Sequence, residues 1–396
     1  MLKNNIKHIL IIPSWYKTLE NPVLGSFFEE QARGLMRLGY KVGILHLGFK
    51  PFMYNRNLLD RCFNDEGLFT IQKEFRASIP KLHKINYWLF GKKVNNILKE
   101  YIDANGIPDV IHAHSVFYGG IAAMYISEKT KIPYIITEHL THFITGKVTA
   151  SADISISRTV FVKSKESIVV SKEFRSELSQ ILNLPDESFK VIHNMVSPIF
   201  FENNFTAVIN PNKGVRFFTN SFLTTRKNHK LMINAFKIFH EKFPNSQLVI
   251  GGDATNENDM NYKNTLVQFS DDLGLKDSVL FLGALSRIEV KKQLDQCHVF
   301  LLASTYETFG VVLIEALACG RPVVSTDSKG PRDIINSTNG ILVTDFEEHR
   351  FAESMISMIR NYYTYDQEKI SVDCKKCFSE EVIIEKILKL YESYIY

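Results

Sequence analysis

Short apolar runs alternate with longer amphipathic segments along most of the chain. The first apolar run, Ile9–Ile12, ends at Pro13, and the amphipathic segment Ser26–Leu38 ends at Gly39. The apolar runs lack polar alternation, which indicates strands of a parallel sheet covered on both faces. Strands that alternate with helices in this way predict a doubly wound α/β fold. Further strands of the first half are predicted at Val42–Leu47, Val110–His114, Tyr134–Thr137, Ser167–Val170 and Lys190–Ile192.

The pattern weakens after Asn194, and a second series of strands and helices then begins. Residues 198–213 are rich in asparagine and proline, which predicts a linker. We therefore predict two domains, residues 1–197 and 198–379, and we expect a C-terminal helix of about residues 380–396 to pack back on the first domain. Ligands of such folds bind outside the carboxyl ends of the strands. The second domain has predicted strands at Val215–Thr219, Leu248–Ile250, Val279–Leu282, Val299–Leu302, Val323–Ser325 and Ile341–Val343, and its first predicted helix is Leu231–Lys242.

Composition narrows the classes of function. The chain has 396 residues, which favours two domains, and a net charge of +4 with 23% charged residues, which indicates neither a nucleic-acid binder nor a disordered chain. The 5 cysteines are scattered, which favours a reducing compartment. The spacing of Cys374 and Cys377 is typical of redox pairs, but no second pair or nearby histidine accompanies it. No apolar run has membrane-spanning length. We expect a cytoplasmic protein, at most peripheral at the inner face of the membrane.

The segment 303–324 carries the strongest functional signal. A buried strand ends near Ser304, and the following loop contains Glu307. A helix begins close to Gly310 and ends at Gly320, with a proline just beyond it. The start of a helix has unpaired N–H groups and a partial positive charge, so it attracts anions. This strand, loop and helix therefore predict an anion site at the start of the helix.

Two glutamates flank this predicted anion site. Glycine has no side chain to keep a phosphate away, so the N–H groups of Gly310 and Val311 can hold a diphosphate. Glu307 precedes this point, and Glu315 lies more than one turn inside the helix. Carboxylates repel phosphate, so these two are better suited to accept hydrogen bonds from hydroxyls. A nucleotide sugar has hydroxyls on either side of its diphosphate, on the ribose and on the sugar. The alternative is that Glu307 is a loop acid and Glu315 a solvated helix acid.

These features resemble family 4 of the retaining nucleotide-sugar glycosyltransferases, which have the GT-B fold. The Glu-x7-Glu spacing of Glu307 and Glu315 is followed by Ala-x-Ala-x-Gly-x-Pro-Val in residues 316–323. Weaker matches cover nearly the whole chain: Pro13–Tyr16 with Gly25–Phe27, Pro108–His114, Thr137–His139 and Val191–Asn194. The resemblance implies two Rossmann-like domains that face a central cleft.

The resemblance also implies roles for individual residues. Glu315 is expected to bind the ribose hydroxyls. Glu307 and the backbone of Phe309, Gly310 and Val311 are expected to bind the donor sugar and diphosphate.

On the side of the first domain, His139 is expected to contact the transferred sugar near the reacting carbon. A histidine at a strand end is often structural, but the carboxyl end of a central strand favours a functional one. The resemblance also implies that Gly25 and Ser26 belong to a loop on the acceptor side. His112 and His114 share one face of a strand, which fits core packing better than a metal site.

A leaving diphosphate gains negative charge as the glycosidic bond breaks, so fixed cations stabilise the transition state. Lys227 matches a lysine of the family, and Phe222 stands where the family usually has arginine. Arg226 is our candidate for the second cation, although both cations would also suit a solvated turn.

No Asp-x-Asp triplet occurs in the sequence. We therefore expect no divalent metal and no other cofactor, and activity that survives EDTA. The resemblance implies retention of configuration by front-side attack. Glu138 is the nearest carboxylate for a covalent alternative, but the pleat of its strand should point it away from His139.

The segment 73–99 is basic and rich in aromatic residues, which is typical of a helix on an anionic membrane surface. The alternative is a helix that packs its aromatic residues on the sheet and exposes its basic face. The basic residues are Lys73, Arg76, Lys81, Lys84, Lys92, Lys93 and Lys99, and they are interleaved with Ile85, Tyr87, Trp88, Leu89 and Phe90.

The sequence therefore predicts a retaining, metal-independent hexosyltransferase. It would move a sugar from a UDP or GDP sugar to a glycan or lipid-linked acceptor, in cell-surface polysaccharide synthesis. The alternatives are a GT-B epimerase or phosphorylase of nucleotide sugars and a non-catalytic nucleotide-sugar binder. A dehydrogenase is disfavoured because no Gly-x-Gly-x-x-Gly follows the first strand. The donor base, the sugar, the acceptor and the linkage are not determined by the sequence.

Overall fold

The computed structural model describes residues 6–18, 24–54, 57–79, 81–202, 214–254 and 257–393. The chain forms two compact units, one of residues 1–193 with 380–396 and the other of residues 194–379. The predicted boundary is residue 197. Of the predicted linker, Pro198–Phe201 form a short 3-10 helix with Phe200 buried, while its residues 203–213 lie outside the described ranges.

The first unit contains an eight-stranded sheet. Its strands are β1 His8–Pro13, β2 Lys41–Pro51, β3 Asp60–Asp65, β4 Leu68–Ser78, β5 Val110–His114, β6 Tyr134–Glu138, β7 Glu166–Val169 and β8 Lys190–Val191. They lie in the order β3-β4-β2-β1-β5-β6-β7-β8. The connections reverse direction between the neighbours β1 and β5, which is the crevice where ligands of doubly wound folds bind.

Helices cover this sheet. They are α1 Ser26–Arg37, α2 His83–Asn105, α3 Ile121–Thr130, α4 Ser151–Lys163 and α5 Lys172–Leu182. β1 and β5 are buried along their whole length, which explains their continuous apolar character.

Two neighbouring strands of this sheet, β3 and β4, were not predicted from the sequence. β3 pairs antiparallel with β4, and its residues alternate between exposed and half-buried, so it has no apolar run to reveal it. The segment 73–99 is not one helix either, because its first part belongs to β4 and α2 begins at His83.

The second unit contains a six-stranded parallel sheet. Its strands are β9 Val215–Asn220, β10 Ser246–Gly251, β11 Val279–Gly283, β12 Val299–Leu302, β13 Val323–Thr326 and β14 Gly340–Val343. Their order is β11-β10-β9-β12-β13-β14, so the direction of the connections reverses between β9 and β12. The helices are α6 His229–Lys242, α7 Glu257–Asp272, α8 Arg287–Gln296, α9 Val311–Ala318, α10 Glu348–Arg360 and α11 Gln367–Phe378. The core under α6 includes Phe217, Phe236, Phe239 and Leu301.

The last helix, α12 (Glu380–Glu392), packs on α1 of the first unit. Arg37 Nε donates a hydrogen bond of 3.0 Å to Glu380 Oε1. Gly34 leaves room for α12, because a Cβ there would lie 2.3 Å from Ile384 Cδ1. Among the described residues, no helix combines the length and apolar character needed to cross a membrane.

Candidate functional site

Lys227 and Glu307 meet where the strand order of the second sheet reverses. Lys227 follows β9 and Glu307 follows β12, the two neighbouring strands at that point. Lys227 Nζ donates a hydrogen bond of 2.6 Å to Glu307 Oε1, and Arg226 NH1 lies 3.3 Å from the same oxygen. The structure thus brings both predicted cations and a predicted acid together in the crevice that doubly wound folds use for ligands.

Two hydrogen bonds to backbone carbonyls hold the loops of Arg226 and Tyr306 together. Thr305 N donates to Arg226 O at 2.8 Å, and Arg226 NH1 donates to Tyr306 O at 2.7 Å. Residues Thr225–Lys227 form one 3-10 turn, which ends at Asn228 in a left-handed conformation with φ 48°. The side chains of Lys227 and Glu307 are 11% and 10% exposed. The two cations are therefore fixed by the fold rather than carried on a solvated turn.

The loop after β13 supports Glu307 from its other side. Glu307 N donates to Ser328 O at 2.8 Å, and Gly330 N donates to Glu307 O at 3.0 Å. A Cβ at Gly330 would lie 2.5 Å from the backbone of Phe309, so only glycine permits this close approach. Both sides of Glu307 are thus held by backbone hydrogen bonds, which orients its carboxylate toward Lys227.

Burial and charge act together on the pKa values of this pair. Burial favours the neutral form of Glu307, but Lys227 and Arg226 outweigh it, so the pKa of Glu307 is lowered. Burial also favours the neutral form of Lys227, and the pKa of Lys227 is lowered because its one carboxylate does not offset burial and the charge of Arg226. The charge of Lys227 is therefore only partly compensated by the carboxylate of Glu307.

The structure places Gly310 at the start of α9, where the sequence predicts an anion site. Gly310 precedes α9 with φ 111°, a left-handed conformation that favours glycine. Because Gly310 has no side chain, it cannot cap the first N–H groups of α9 with a side-chain hydrogen bond. Phe309 is buried with its ring 5.8 Å from that of Phe378, so its side chain belongs to the core and only its backbone can serve a ligand. Val311 is the first residue of α9 and is half-buried.

Glu315 is buried, with a side chain only 4% exposed, and it forms an ion pair with Arg287. The interpretation of Glu315 as a solvated helix acid is therefore wrong. Arg287 is the first residue of α8, and its guanidinium lies 5.3 Å from the centre of the Phe200 ring. Arg287 was not among the residues predicted from the sequence, although Ser286 and Glu289 form a capping box that marks this helix start.

In the first unit, His139 follows β6 and contacts a second histidine. Its Nε2 lies 3.0 Å from His114 Nδ1, and the two rings stack with centroids 5.3 Å apart. The rings of Phe27 and Phe28 lie 5.2 Å and 5.7 Å from the His139 ring. Burial lowers the pKa of His139 to about 3, so this imidazole is neutral at physiological pH. A neutral imidazole can donate a hydrogen bond to a sugar hydroxyl or accept one from it.

The loop after β1 reaches the same crevice of the first sheet. Gly25 precedes α1 with φ 71°, and a Cβ there would lie 3.0 Å from Trp15 O. Ser26 is the half-buried first residue of α1. Ser14 Oγ donates to Ser115 O at 2.8 Å and accepts from Gly119 N at 2.9 Å, which ties the ends of β1 and β5 together. Gly25, Ser26 and His139 thus follow strands at one edge of this sheet.

Glu138 is a structural residue. Its buried carboxylate accepts hydrogen bonds from Val116 N at 2.9 Å and from His139 N and Leu140 N at 2.8 Å each. Burial raises the pKa of Glu138 in spite of these bonds. Two of the three backbone donors belong to the turn after β6, so Glu138 shapes the turn that carries His139.

His112 packs in the core. Its Nε2 lies 2.8 Å from Thr137 Oγ1, and its Nδ1 lies 2.7 Å from Tyr391 Oη on α12. In the described part of the chain, no three histidine, cysteine or acidic side chains are arranged to hold a metal ion. Cys374 is buried with its thiol 3.4 Å from Ile314 O, and Cys377 is exposed.

The two halves of the chain match two models of glycosyltransferase families. The model described as Glycosyltransferase Family 4 matches residues 24–199, and the one described as Glycosyl transferases group 1 matches residues 201–372. The chain belongs to glycosyltransferase family 4. The resemblance seen in the sequence is thus confirmed.

Relatives in sequence agree with this glycosyltransferase assignment. An uncharacterized glycosyltransferase of Methanocaldococcus jannaschii is 27% identical over 79% of this chain and 78% of its own. A probable sucrose-phosphate synthase of Thermosipho melanesiensis is 29% identical over 94% of this chain and 90% of its own.

The solved structures are more distant in sequence and show the fold. Sucrose-phosphate synthase from Thermosynechococcus elongatus has a TM-score of 0.75 at 16% identity, with 98% of each chain covered. Anabaena HepE in complex with UDP and glucose has a TM-score of 0.73 at 17% identity, with 98% of this chain and 100% of the other covered. The glycosyltransferase therefore has the predicted GT-B fold class, with two α/β units built on mainly parallel sheets.

Proposed function

We propose that this glycosyltransferase transfers a sugar from a UDP or GDP sugar to a glycan or a lipid-linked acceptor, with retention of configuration and without a divalent metal. The observation that carries the proposal is the meeting of Lys227, Arg226 and Glu307 at the switch point of the second sheet. Glu307 and the start of α9 are separated along the chain by only three residues. Cations, an acid and a helix start so close together suit a sugar diphosphate.

Each group then has one role in the proposed reaction. Lys227 and Arg226 offset the charge that grows on the leaving diphosphate, and the N–H groups of Gly310 and Val311 bind its oxygens. Glu307 accepts hydrogen bonds from hydroxyls of the donor sugar.

On the nucleoside side, Glu315 accepts hydrogen bonds from the ribose hydroxyls. Glu315 is buried and forms an ion pair with Arg287, and a carboxylate in such a pair can still accept hydrogen bonds from the two hydroxyls of a diol.

The first unit supplies the proposed groups for the transferred sugar and the acceptor. Neutral His139 hydrogen-bonds the sugar, and the loop at Gly25 and Ser26 borders the acceptor. The occupied carboxylate of Glu138 supports front-side attack over a covalent intermediate, because its oxygens already accept three backbone N–H groups. The leaving phosphate would then take the proton of the attacking hydroxyl.

The proposal is tested by incubating the purified enzyme with a panel of nucleotide sugars, with and without glycan and lipid-linked acceptors. We expect nucleoside diphosphate release that depends on acceptor, and a product with the anomeric configuration of the donor by NMR. UDP sugars come first, because HepE, which shares the fold, was solved with UDP and glucose. Glu307→Gln should abolish transfer, while the exposed control Glu353→Gln should not.

Other products would point to the alternatives. Epimerised donor without acceptor would indicate an epimerase, and sugar phosphate formed with inorganic phosphate would indicate a phosphorylase. An inverted product would contradict the proposed stereochemistry. Nucleotide binding without turnover of any donor would indicate a non-catalytic binder.

A further inference from the structure

Two exposed apolar segments lie side by side at the edge of the first sheet where β2 and β4 end. In the turn after β2, Phe52 and Met53 are 69% and 88% exposed. The parallel register places Pro51 opposite Ser78, so this turn lies next to the segment that leads from β4 into α2. Four large apolar residues of that second segment are also exposed, namely Ile79, Leu82, Ile85 and Trp88. We call these six residues the apolar rim.

The beginning of α2 has two distinct faces. Tyr87, Phe90 and Val94 are buried against the sheet. Ile85 and Trp88 are exposed, and their spacing of three residues puts them on one side of the helix. The aromatic residues that the sequence shows as one group are therefore divided, with Tyr87 and Phe90 in the core and Trp88 in solvent. Trp88 thus does not belong to the buried core of this unit.

Lysines surround the apolar rim, and acids are scarce there. The sequence has no Asp or Glu between Glu30 and Asp60, or between Glu74 and Glu100. Lys92 Nζ lies 3.8 Å from the centre of the Trp88 ring. Lys81 and Lys84, which lie between rim residues along the chain, are also exposed.

Acids on neighbouring elements are engaged elsewhere. Asp153 of α4 contacts Tyr87 Oη at 2.5 Å and His83 Nδ1 at 2.7 Å. Glu74 contacts Lys50 Nζ at 3.0 Å within the sheet. The charge presented around the apolar rim is therefore positive.

We propose that the apolar rim and its lysines bind the surface of an anionic lipid bilayer. Exposed apolar tips flanked by lysines match the apolar interior and the anionic headgroups of such a surface, and tryptophan favours the interface between them. A protein partner would need a complementary acidic surface with apolar pockets, whereas a bilayer needs no such match.

The position of the rim supports this proposal. β2 and β4 run parallel to β1, so the rim lies at the same edge of the sheet as the loop after β1 that carries Gly25. A bilayer bound there would present lipid-linked acceptors to the acceptor loop. This last step rests on the proposed function, but membrane binding itself does not.

Flotation with vesicles of pure phosphatidylglycerol or pure phosphatidylcholine, without donor or acceptor, tests the proposal. We expect binding to the anionic vesicles that weakens with salt, and no binding to the neutral ones. Combined substitution of Phe52, Met53 and Trp88 by serine should weaken binding more than tenfold, since each inserted side chain contributes roughly tenfold or more. Lys84→Gln and Lys92→Gln should each weaken it about fivefold.

The opposite edge of the same sheet provides matched controls. Leu38 and Ile107 are 57% and 67% exposed there, at the end of α1 and just before β5. The double variant Leu38→Ser, Ile107→Ser should bind like the wild type, as should Lys129→Gln at the end of α3. Equal losses in the rim and control variants would overturn the proposal, as would an absence of binding to phosphatidylglycerol at low salt.

Fluorescence gives a second readout that does not depend on affinity. The chain has 2 tryptophans, so Trp15→Phe leaves Trp88 as the sole reporter. Its emission should shift to the blue with phosphatidylglycerol vesicles, and an unchanged spectrum in a vesicle-bound sample would contradict insertion of the rim. Glu307→Gln should still bind vesicles, so a failure of sugar transfer and a failure of membrane binding are separate results.

Discussion

Lys227→Met removes one ammonium group from the proposed diphosphate site and keeps a long, unbranched side chain. Lys227 Nζ lies 2.6 Å from Glu307 Oε1, and Arg226 NH1 lies 3.3 Å from the same oxygen. Glu307 therefore keeps a counter-ion in the variant. What is lost is a fixed cation for the leaving diphosphate, so we expect kcat/KM for the nucleotide sugar to fall by about 10²–10³, or about 3–4 kcal/mol.

The same substitution should change stability little. The pKa of Lys227 is lowered because burial outweighs the attraction of Glu307, so protonated Lys227 adds no net stability to the fold at neutral pH. By contrast, the lowered pKa of Glu307 means that its carboxylate contributes to the stability of the fold. Its charged form stabilises the fold above the usual glutamate pKa, and this contribution is lost as the pH falls through the lower value in the fold. Arg226 preserves part of it, so the free energy of unfolding should change by about 1 kcal/mol or less.

Two measurements check this reasoning: steady-state release of nucleoside diphosphate and urea unfolding at neutral pH. Lys230→Met is the matched control, because Lys230 lies three residues later and is exposed. Its Nζ lies 5.1 Å from the centre of the Phe269 ring. This variant should leave kcat/KM unchanged. A loss of about 3–5 kcal/mol of stability in Lys227→Met with activity retained would show a structural ion pair and refute the argument.

Further predictions concern the glycine, the histidines and the metal. Gly310→Ala forces alanine to φ 111° and should cost roughly 1–3 kcal/mol in urea unfolding and weaken donor binding, whereas Gly39→Ala, at φ 91° in open space, should cost stability without affecting donor affinity. His114→Asn should lower kcat by about tenfold or more with little change in KM, because His114 positions His139; an effect on KM alone would contradict this. Because the pKa of His139 is about 3, transfer rates should show no titration of this residue between about pH 5 and 8, and a step there that His139→Gln removes would count against a neutral imidazole. EDTA should leave transfer intact, and activity restored only by Mn²⁺ or Mg²⁺ would contradict the proposed cation site.

Much of the second unit could be predicted because local rules and tertiary structure agree there. The apolar strand before Ser304, the glycine at 310 and the glycine at 320 predict β12 and α9, and the structure has both. Right-handed connections limit the orders that such parallel strands can form, and the observed order places Lys227 beside Glu307 although 80 residues separate them.

The remaining features depend on contacts that a single sequence does not reveal. Arg287 pairs with Glu315 across 28 residues, and no periodicity links the two. β3 has alternating polarity because it is an edge strand, so it resembles a loop. The basic and aromatic residues of the segment 73–99 do not belong to a single helix. β4 ends at Ser78, within this segment, and α2 begins five residues later, at His83. The burial of Glu315 and the contact of His114 with His139 likewise arise from neighbouring strands and helices.

The most direct test of the account is nucleotide binding at Glu315. Thermal unfolding with saturating UDP and GDP should show a rise in melting temperature for the preferred base, because a ligand at 100 times its Kd stabilises the folded state by about 2.7 kcal/mol. Glu315→Ala should abolish that rise when each variant is compared with its own ligand-free sample, and the exposed control Glu353→Ala should keep it. An equal rise in wild type and Glu315→Ala would contradict the donor site that we assign to the second unit.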